Sequence, residues 1–514
     1  MTRPIAAVDI GTNSMHLMVA ATLDDGSFRI LTREKEPVRL GSGGGDMKRL
    51  SPDAIDRGIE CLTRFAAIAG QWDAELHAYA TSAVREAKNR DDFIYRAMAE
   101  AGVEVEVISG AEEARLIHLG VIQSVPVDRR HLVVDIGGGS TEFVVADSAQ
   151  PMLTRSLKLG AIRLTDRFFP GGVCDEKSTL ACRRYVRSFI TPLTAEIGLL
   201  DPGLHIASSG TAETLAVMAG RPEVLDSSDL ASLTDQLVSS TPKQRLAMSG
   251  LDERRKDIIA AGAVLLDEIT RSLGIQQWTI SELALRAGIV LDISQRRTGG
   301  TTLHHLSDLR RESALTVARR YEEDVEHAEH ITDLALELFD DLTVWHGLGA
   351  DERDLLETAG LLHNIGVFVS HSAHHKHSQY LILNTEQLAG FTEHERNLVA
   401  QVARYHRKSA PKAKHVEFSE LAERDRWIVQ VLASILRVAI GLDRSARRVV
   451  RSVAAHIEDQ TISIDASVDP EQDAELEIYS AASRADLLEK LSKRRVEVVA
   501  ASRPQNPHPS QGRG

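Results

Sequence analysis

The sequence predicts a mixed α/β protein made of two copies of one design, followed by an all-helical region and a small α+β module. Three observations predict it. Val8–Ala20, VDIGTNSMHLMVA, returns 126 residues later as Val134–Ala146, VDIGGGSTEFVVA, with 7 of 13 positions identical. Strand-like and helix-like stretches alternate through both halves of the first 300 residues, as a layered α/β fold requires. After Leu306 helical periodicity takes over until about Asp443, and short alternating runs return from Arg448. The boundaries expected are 1–125 and 126–300 for the two copies, 307–445 for the helical region and 446–500 for the module. The Pro/Gly/Gln/Ser-rich end, 501–514, reads as a disordered tail.

The elements follow in order. Each copy of the repeat is an apolar run ending in Asp, a small-residue turn and a second apolar run, which reads as a strand, a tight turn and a returning strand. Leu50–Ile68 has helical spacing behind a cap signal at Ser51–Asp53. His77–Ala80 and Val103–Ile108 read as strands, and Arg90–Ala101 and Glu112–Gln123 as helices. In the second copy Leu132–Ile136 and Leu204–Ala207 read as strands, Ala212–Met218 and Arg255–Leu273 as helices, and Trp278–Ile280 as a strand. Arg296–Thr302 reads as a linker. Late in the chain, Thr461–Asp465 and Ala474–Tyr479 are short alternating runs, and Leu487–Leu491 is helical.

Composition narrows the function. At 514 residues the chain exceeds one hydrophobic core, and 43% hydrophobic with 26% charged residues is ordinary for a soluble globular protein. A net charge of −14 argues against a nucleic-acid binder that works through its overall field, and leaves room for a local basic channel. Three cysteines, Cys61, Cys174 and Cys182, at no metal-ligand spacing fit a reducing cytoplasm. Met1-Thr-Arg-Pro runs straight into a strand, so no signal peptide is expected, and no apolar run is long enough for a membrane span.

The repeated turns carry the chemistry. Gly11, Thr12, Asn13 and Ser14 offer backbone and side-chain donors to an anion, and Asp9 stands at the mouth as a metal or water ligand or a brace for its own loop. In the second copy Gly137-Gly-Gly139 lets a ligand approach the backbone, and Asp135 and Glu142 flank it, close enough after a reversal to share a hard cation such as Mg²⁺. Ser208-Ser-Gly-Thr211, at the end of an apolar strand, fits a third phosphate cradle. Arg85, within TSAVREAKN, reads either as a fork for phosphate or as the start of a surface helix. Glu112 and Glu113 fall in a first helical turn, where the helix dipole favours acids; the sharper reading makes one a general base aimed into a cleft.

Together these motifs resemble the exopolyphosphatase / guanosine pentaphosphate phosphohydrolase family, within the actin and sugar-kinase (ribonuclease H-like) superfamily of duplicated lobes. The resemblance rests on AVDIGTNS at Ala7–Ser14, ATSAVREAKN at Ala80–Asn89, VISGAEEARL at Val107–Leu116, VVDIGGGSTE at Val133–Glu142, KLGAIRLTDRF at Lys158–Phe168 and SSGTAETL at Ser208–Leu215. The block around Arg255, Asp257, Gly262 and Leu285-Arg-Ala-Gly288 agrees. The resemblance implies a catalytic glutamate at Glu113, with Glu112 as the alternative, beside the arginine Arg85. It implies acidic metal positions at Asp135 and Glu142, with Mg²⁺ or Mn²⁺ as cofactor. Its phosphate positions fall on Thr12, Asn13, Ser14, Gly137, Gly138, Ser140, Gly210 and Thr211.

The helical region resembles the HD-type phosphohydrolase fold of the family's long members, with His327, His363 and Asp443 at ligand positions. Asn364 stands where a metal-binding Asp belongs, and a neutral amide is a weak ligand, so this region reads as degenerate. His371-Ser-Ala-His-His-Lys-His377 is dense in basic groups and reads as a metal tract, a solvated loop or a polyanion contact. In the family context the last reading makes His374, His375, Lys376, His377 and Arg407 part of a polyphosphate channel. The activity implied is release of terminal phosphate from inorganic polyphosphate, with conversion of pppGpp to ppGpp as the alternative and a non-catalytic binder or a kinase behind both. A homodimer is expected, with neither nucleic acid nor membrane as partner.

Overall fold

The computed structural model describes residues 3–23, 27–41, 48–148, 150–298, 305–321, 324–385, 387–388, 391–412, 414–468 and 472–501. The expected tail past residue 501 lies outside them. By its contacts the chain forms two compact units, Met1–Leu309 with Ala389–Glu393, and Arg310–Leu388 with His394–Gly514.

The first unit holds two sheets of one plan. In the first, β1 (Ile5–Ile10) pairs antiparallel with β2 (Met15–Thr22), which pairs antiparallel with β3 (Phe28–Glu36); β1 also pairs parallel with β4 (Glu75–Ala80), and β4 with β5 (Val105–Val107). In the second, β6 (His131–Ile136), β7 (Thr141–Asp147) and β8 (Gln150–Leu157) repeat the antiparallel meander, and β6 continues parallel to β9 (Leu204–Ser208), then β11 (Gln277–Ser281); β10 (Val224–Asp226) adds an antiparallel edge. Asp9 sits opposite His16 in the first hairpin and Asp135 opposite Glu142 in the second, the same register at matching positions.

Both faces of the central strands are buried, which explains their near-continuous apolar runs. Val8 and Ile10 point into the core of the first lobe, whereas Ile5 and Ala7 join a cluster with Val133, Val144, Ile206 and Ile289 that spans both lobes. Val134 and Ile136 point into the core of the second lobe. Helix Gly110–Val121 crosses helix Leu285–Thr298 at glycines: a Cβ on Gly120 would stand 2.1 Å from the Ala284 carbonyl oxygen, and one on Gly288 1.8 Å from that of Leu116. The crossing is closed by Arg115, whose guanidinium binds Glu112 (2.7 and 2.8 Å) and Asp292 (2.7 Å).

Several expected elements appear with shifted ends. The Ser51 cap accepts from the Ala54 N–H and opens helix Pro52–Gln71, and Arg90–Ala101 is helical as expected. The long helix begins at Ile259; Glu253–Arg255 forms a 3₁₀ turn before it. Arg296–Thr298, expected in a linker, continue the helix from Leu285, and Arg296 pairs with Asp292 one turn back (3.0 Å).

The second unit is mainly helical. Val325–Asp341, Ala350–Leu362 and Glu423–Leu442 pack together, the last buried over most of its length. A three-stranded sheet of β12 (Val450–Ile457), β13 (Thr461–Val468) and β14 (Arg495–Ala501) follows, with helices Glu475–Ala482 and Asp486–Ser492 between its last two strands. The alternating run Ala474–Tyr479 is therefore a helix start rather than a strand. Glu477, on its inner side, is buried and accepts from the Ser445 N–H (3.2 Å).

Candidate active site

The loops between β1 and β2, between β6 and β7, and after β9 meet at one cleft of about 380 Å³ in the first unit. Its walls include all eight expected phosphate residues, Thr12, Asn13, Ser14, Gly137, Gly138, Ser140, Gly210 and Thr211, together with Asp9, Glu113 and Asp135. The two repeated turns abut: a Cβ on Gly138 would lie 3.1 Å from Thr12 Cβ and 3.3 Å from the Asn13 nitrogen. Close approach, rather than an unusual φ, is what this glycine serves, since none of Gly137, Gly138 and Gly139 has positive φ. In the third loop Ser209 takes φ 72 at the head of helix Ser209–Met218, a conformation that costs an L residue about 1 kcal/mol or more. Its hydroxyl donates to the Ile136 carbonyl (2.6 Å), tying that loop to β6.

Asp9, Glu113 and Asp135 line this cleft, and Glu142 lies beside them, electrostatically in reach of Glu113 and Asp135. Asp135 accepts from the Ser208 hydroxyl, and burial pushes its carboxyl up to about 7, with Glu113 and Glu213 adding to the rise. Burial likewise lifts Asp9 to about 7, opposed by the charge of Arg286. Glu113 stands above the ordinary range through burial, held back by Arg85, whose Nη1 donates to Glu113 Oε2 (2.9 Å) and to the Ile108 carbonyl (2.9 Å). Glu142 is raised well above the ordinary range, by burial and then by Glu113 and Asp135; its Oε1 accepts from Ser156 (2.8 Å) and its Oε2 is buried without a partner.

Three expectations change. Glu112 does not face the cleft: it is 2% exposed and spent on Arg115, because neighbouring helix residues point about 100° apart. Arg85 stands behind Glu113 instead of on the cleft wall, so its guanidinium orients a carboxylate where a phosphate fork was expected. Glu142 lies beneath the wall rather than on it.

The structure adds residues to which the sequence reading gave no role. Arg255, Arg286, Lys35, His16 and Glu213 line the same cleft. Among the described residues neither Arg255 nor Arg286 closes an ion pair, and burial holds both guanidinia below their usual range. Arg255 lies on the third loop: a Cβ on Gly210 would meet its Nη2 at 1.5 Å, so only glycine leaves it room. Both arginines sit in motifs of the resemblance, which was the one signal available; nothing in their spacing ties them to Asp9 or Gly210.

The expected channel residues lie in the second unit. His374 and His375 are buried, and burial lowers both, His375 to about 4, so they are neutral near pH 7 and do not make a basic surface; Lys376 is exposed and His377 half-buried. The tract starts a helix, His374–Asn384, whose first two side chains turn inward. His327 Nδ1 contacts Asp443 (2.8 Å). Among the described residues no group of three or more His, Cys, Asp or Glu stands ready to hold a metal ion.

Paired α/β lobes that close small-residue loops and carboxylates over a polar cleft define the architecture of actin-like phosphoryl-transfer proteins. Within it, residues 19–297 match the model of the Ppx/GppA phosphatase family and residues 309–481 that of Ppx/GppA phosphatase domain III. The chain belongs to the Ppx/GppA phosphatase family. It is 30% identical over 440 residues, 84% of its length and 85% of the other's, to the guanosine-5'-triphosphate,3'-diphosphate pyrophosphatase of Pseudoalteromonas atlantica. Among solved structures it is similar to an exopolyphosphatase from Cytophaga hutchinsonii (32% identity, TM-score 0.54, 57% of this chain and 98% of that one). An Aquifex aeolicus family member is similar too (25%, TM-score 0.50, 57% and 98%). The chain is, by this kinship, a phosphoanhydride hydrolase.

Proposed function

We propose that the cleft releases orthophosphate from the end of inorganic polyphosphate, with Glu113 as the general base. The observation that carries this is the placement of Glu113: it lines the cleft among the three loops, is fixed by Arg85, and is more basic than a free glutamate. Loop N–H groups and Arg255 and Arg286 grip the phosphates. A water held by Glu113 forms the new O–P bond as its proton passes to Oε1 or Oε2; the anhydride P–O bond breaks, and its electron pair stays with the shortened chain. Positioning and fixed charge supply most of the rate in such transfers.

The carboxylates at the cleft are the donors a divalent cation would use, and among the described residues they are not drawn together into a ready-made set. Beyond burial, Glu113 raises the proton affinity of Asp9, Asp135 and Glu142, Asp135 raises that of Asp9 and Glu142, and Glu142 Oε2 has no partner. Asp135 and Glu142, with Asp9 near, would hold Mg²⁺ or Mn²⁺, which would neutralise phosphate charge.

The second reading, conversion of pppGpp to ppGpp, is favoured by the nearly full-length likeness to a guanosine-5'-triphosphate,3'-diphosphate pyrophosphatase. Side-by-side phosphate release decides: long-chain polyphosphate preferred supports the first reading, and pppGpp with no long-chain activity replaces it. The resemblance further supports a homodimer and a cytoplasmic location, which light scattering and cell fractionation test. Among the described residues no helix is long and apolar enough to cross a membrane.

A further inference from the structure

One carboxylate of the cleft has no part in phosphate release as described above. Glu213 lines the cleft together with Arg255, Arg286 and Lys35. Glu113 and Asp135 are buried there, whereas Glu213 is exposed. Among the described residues Glu213 closes neither a salt bridge nor a hydrogen bond, and none of the three cations closes an ion pair.

Its place follows from the third loop. Helix Ser209–Met218 starts in that loop, so Gly210 and Glu213, three residues apart, share one face. Helical side chains lean back toward the N-terminus, which sets Glu213 over the turn that holds Gly210. The Arg255 guanidinium lies against that same turn, its Nη2 1.5 Å from where a Cβ on Gly210 would stand. Arg255 accordingly attracts Glu213 most strongly, then Lys35 and Arg286, while Glu282, also on the cleft wall, repels it. Glu213 is in turn the strongest attraction on Arg255, ahead of Asp252. An acid thus stands among the very cations that are free to grip phosphate.

An ionised carboxylate only accepts hydrogen bonds, and so do the ionised oxygens of a phosphate chain. A chain that runs from the loops past Glu213 meets like charge and a rival for Arg255. A nucleoside phosphate offers hydroxyl and N–H donors beyond its phosphates, and from these Glu213 can accept. Selectivity of this kind comes from the repulsive element as much as from the attractive one. We propose that Glu213 is a specificity-determining residue: its carboxylate disfavours substrates that continue as a phosphate chain beyond the groups the loops hold, and spares those that continue as a nucleoside. Polyphosphate is still cleaved, at a lower kcat/KM than the same cleft would give with a neutral residue there. The inference rests on the phosphate-release reading and ranks its substrates.

Glu213→Gln in the full chain tests it, since the amide keeps the shape and loses the charge. Phosphate release from long-chain polyphosphate and from pppGpp is measured for wild type and variant, and affinity for both by equilibrium dialysis in a Glu113→Gln background. Glu213→Gln should raise kcat/KM for polyphosphate about tenfold, the effect of one like charge within about 10 Å at a protein surface, and chiefly through KM. It should leave kcat/KM for pppGpp unchanged or lower, and the ratio of affinities should shift toward polyphosphate in the same way. Glu213→Asp, which keeps the charge, should keep the wild-type ratio. An unchanged ratio in Glu213→Gln would overturn the proposal, and a fall common to both substrates would mark a structural role and overturn it as well. Should wild type release phosphate from neither substrate, the hydrolase reading fails, and the ratio of affinities still decides this one.

Discussion

Replacing Asp135 by Asn should stabilise the metal-free protein at pH 8 while abolishing phosphate release. Asp135 is buried, and its carboxyl is raised from the ordinary 3.8 to about 7. An acid whose folded-state pKa exceeds its unfolded one favours folding only while protonated. Stability present below pH 4 is therefore lost as pH rises through about 7. At about 1.4 kcal/mol per pKa unit, ionising the folded carboxyl costs up to about 4 kcal/mol, and relaxation around the site brings this to about 2–4 kcal/mol. Asn keeps the acceptor for the Ser208 hydroxyl and removes the charge. In chelator, thermal melts from pH 5 to pH 8 should show wild type losing stability and Asp135→Asn losing less, ending about 4–8 °C higher. Mg²⁺ should close that gap by stabilising wild type alone. Identical pH profiles for the two proteins would refute the argument that burial, with Glu113 and Glu213 adding to it, raises the Asp135 carboxyl at this cleft.

Glu112→Gln should keep most phosphate release, whereas Arg115→Met, which strands two buried carboxylates, should cost about 3–5 kcal/mol of stability in a thermal melt. Gly288→Ala should destabilise the first unit by about 3 kcal/mol or more, because its Cβ would meet the Leu116 carbonyl at 1.8 Å and backbone must move; chemical denaturation measures it. Arg255→Gln should raise KM for polyphosphate about tenfold or more, since a charge-assisted hydrogen bond of about 1.5–3 kcal/mol is removed, with melting temperature unchanged.

Much of the first unit was legible because its signal is local and repeated. One Asp-Ile-Gly turn, found twice, fixed two hairpins, and their registers put Asp9 and Asp135 at equivalent points. The choice of Glu113 over Glu112 came with the family resemblance and left Glu112 as the alternative: adjacent helix positions differ only in which way they point, and Arg115 and Asp292, 177 residues apart, take Glu112 away from the cleft. Arg85 misled because a cation in a turn fits a phosphate and a carboxylate equally well. The tract at His374 read as a charged surface because charge was counted without burial, which takes the protons off. Ala474–Tyr479 alternates like a strand over a stretch too short for period to separate the two structures, and packing of helix Glu475–Ala482 against Glu423–Leu442 decides for the helix.

The central claim is that Glu113 takes the proton of the attacking water, and Glu113→Gln tests it most directly. Amide and carboxyl have the same shape, and Arg85 can still donate to the amide oxygen, so the variant should fold and bind polyphosphate as wild type does. Phosphate release with Mg²⁺, measured beside polyphosphate binding, should fall by about 10²–10⁴-fold, the range general-base catalysis supplies, with affinity retained. Turnover near that of wild type would contradict the account.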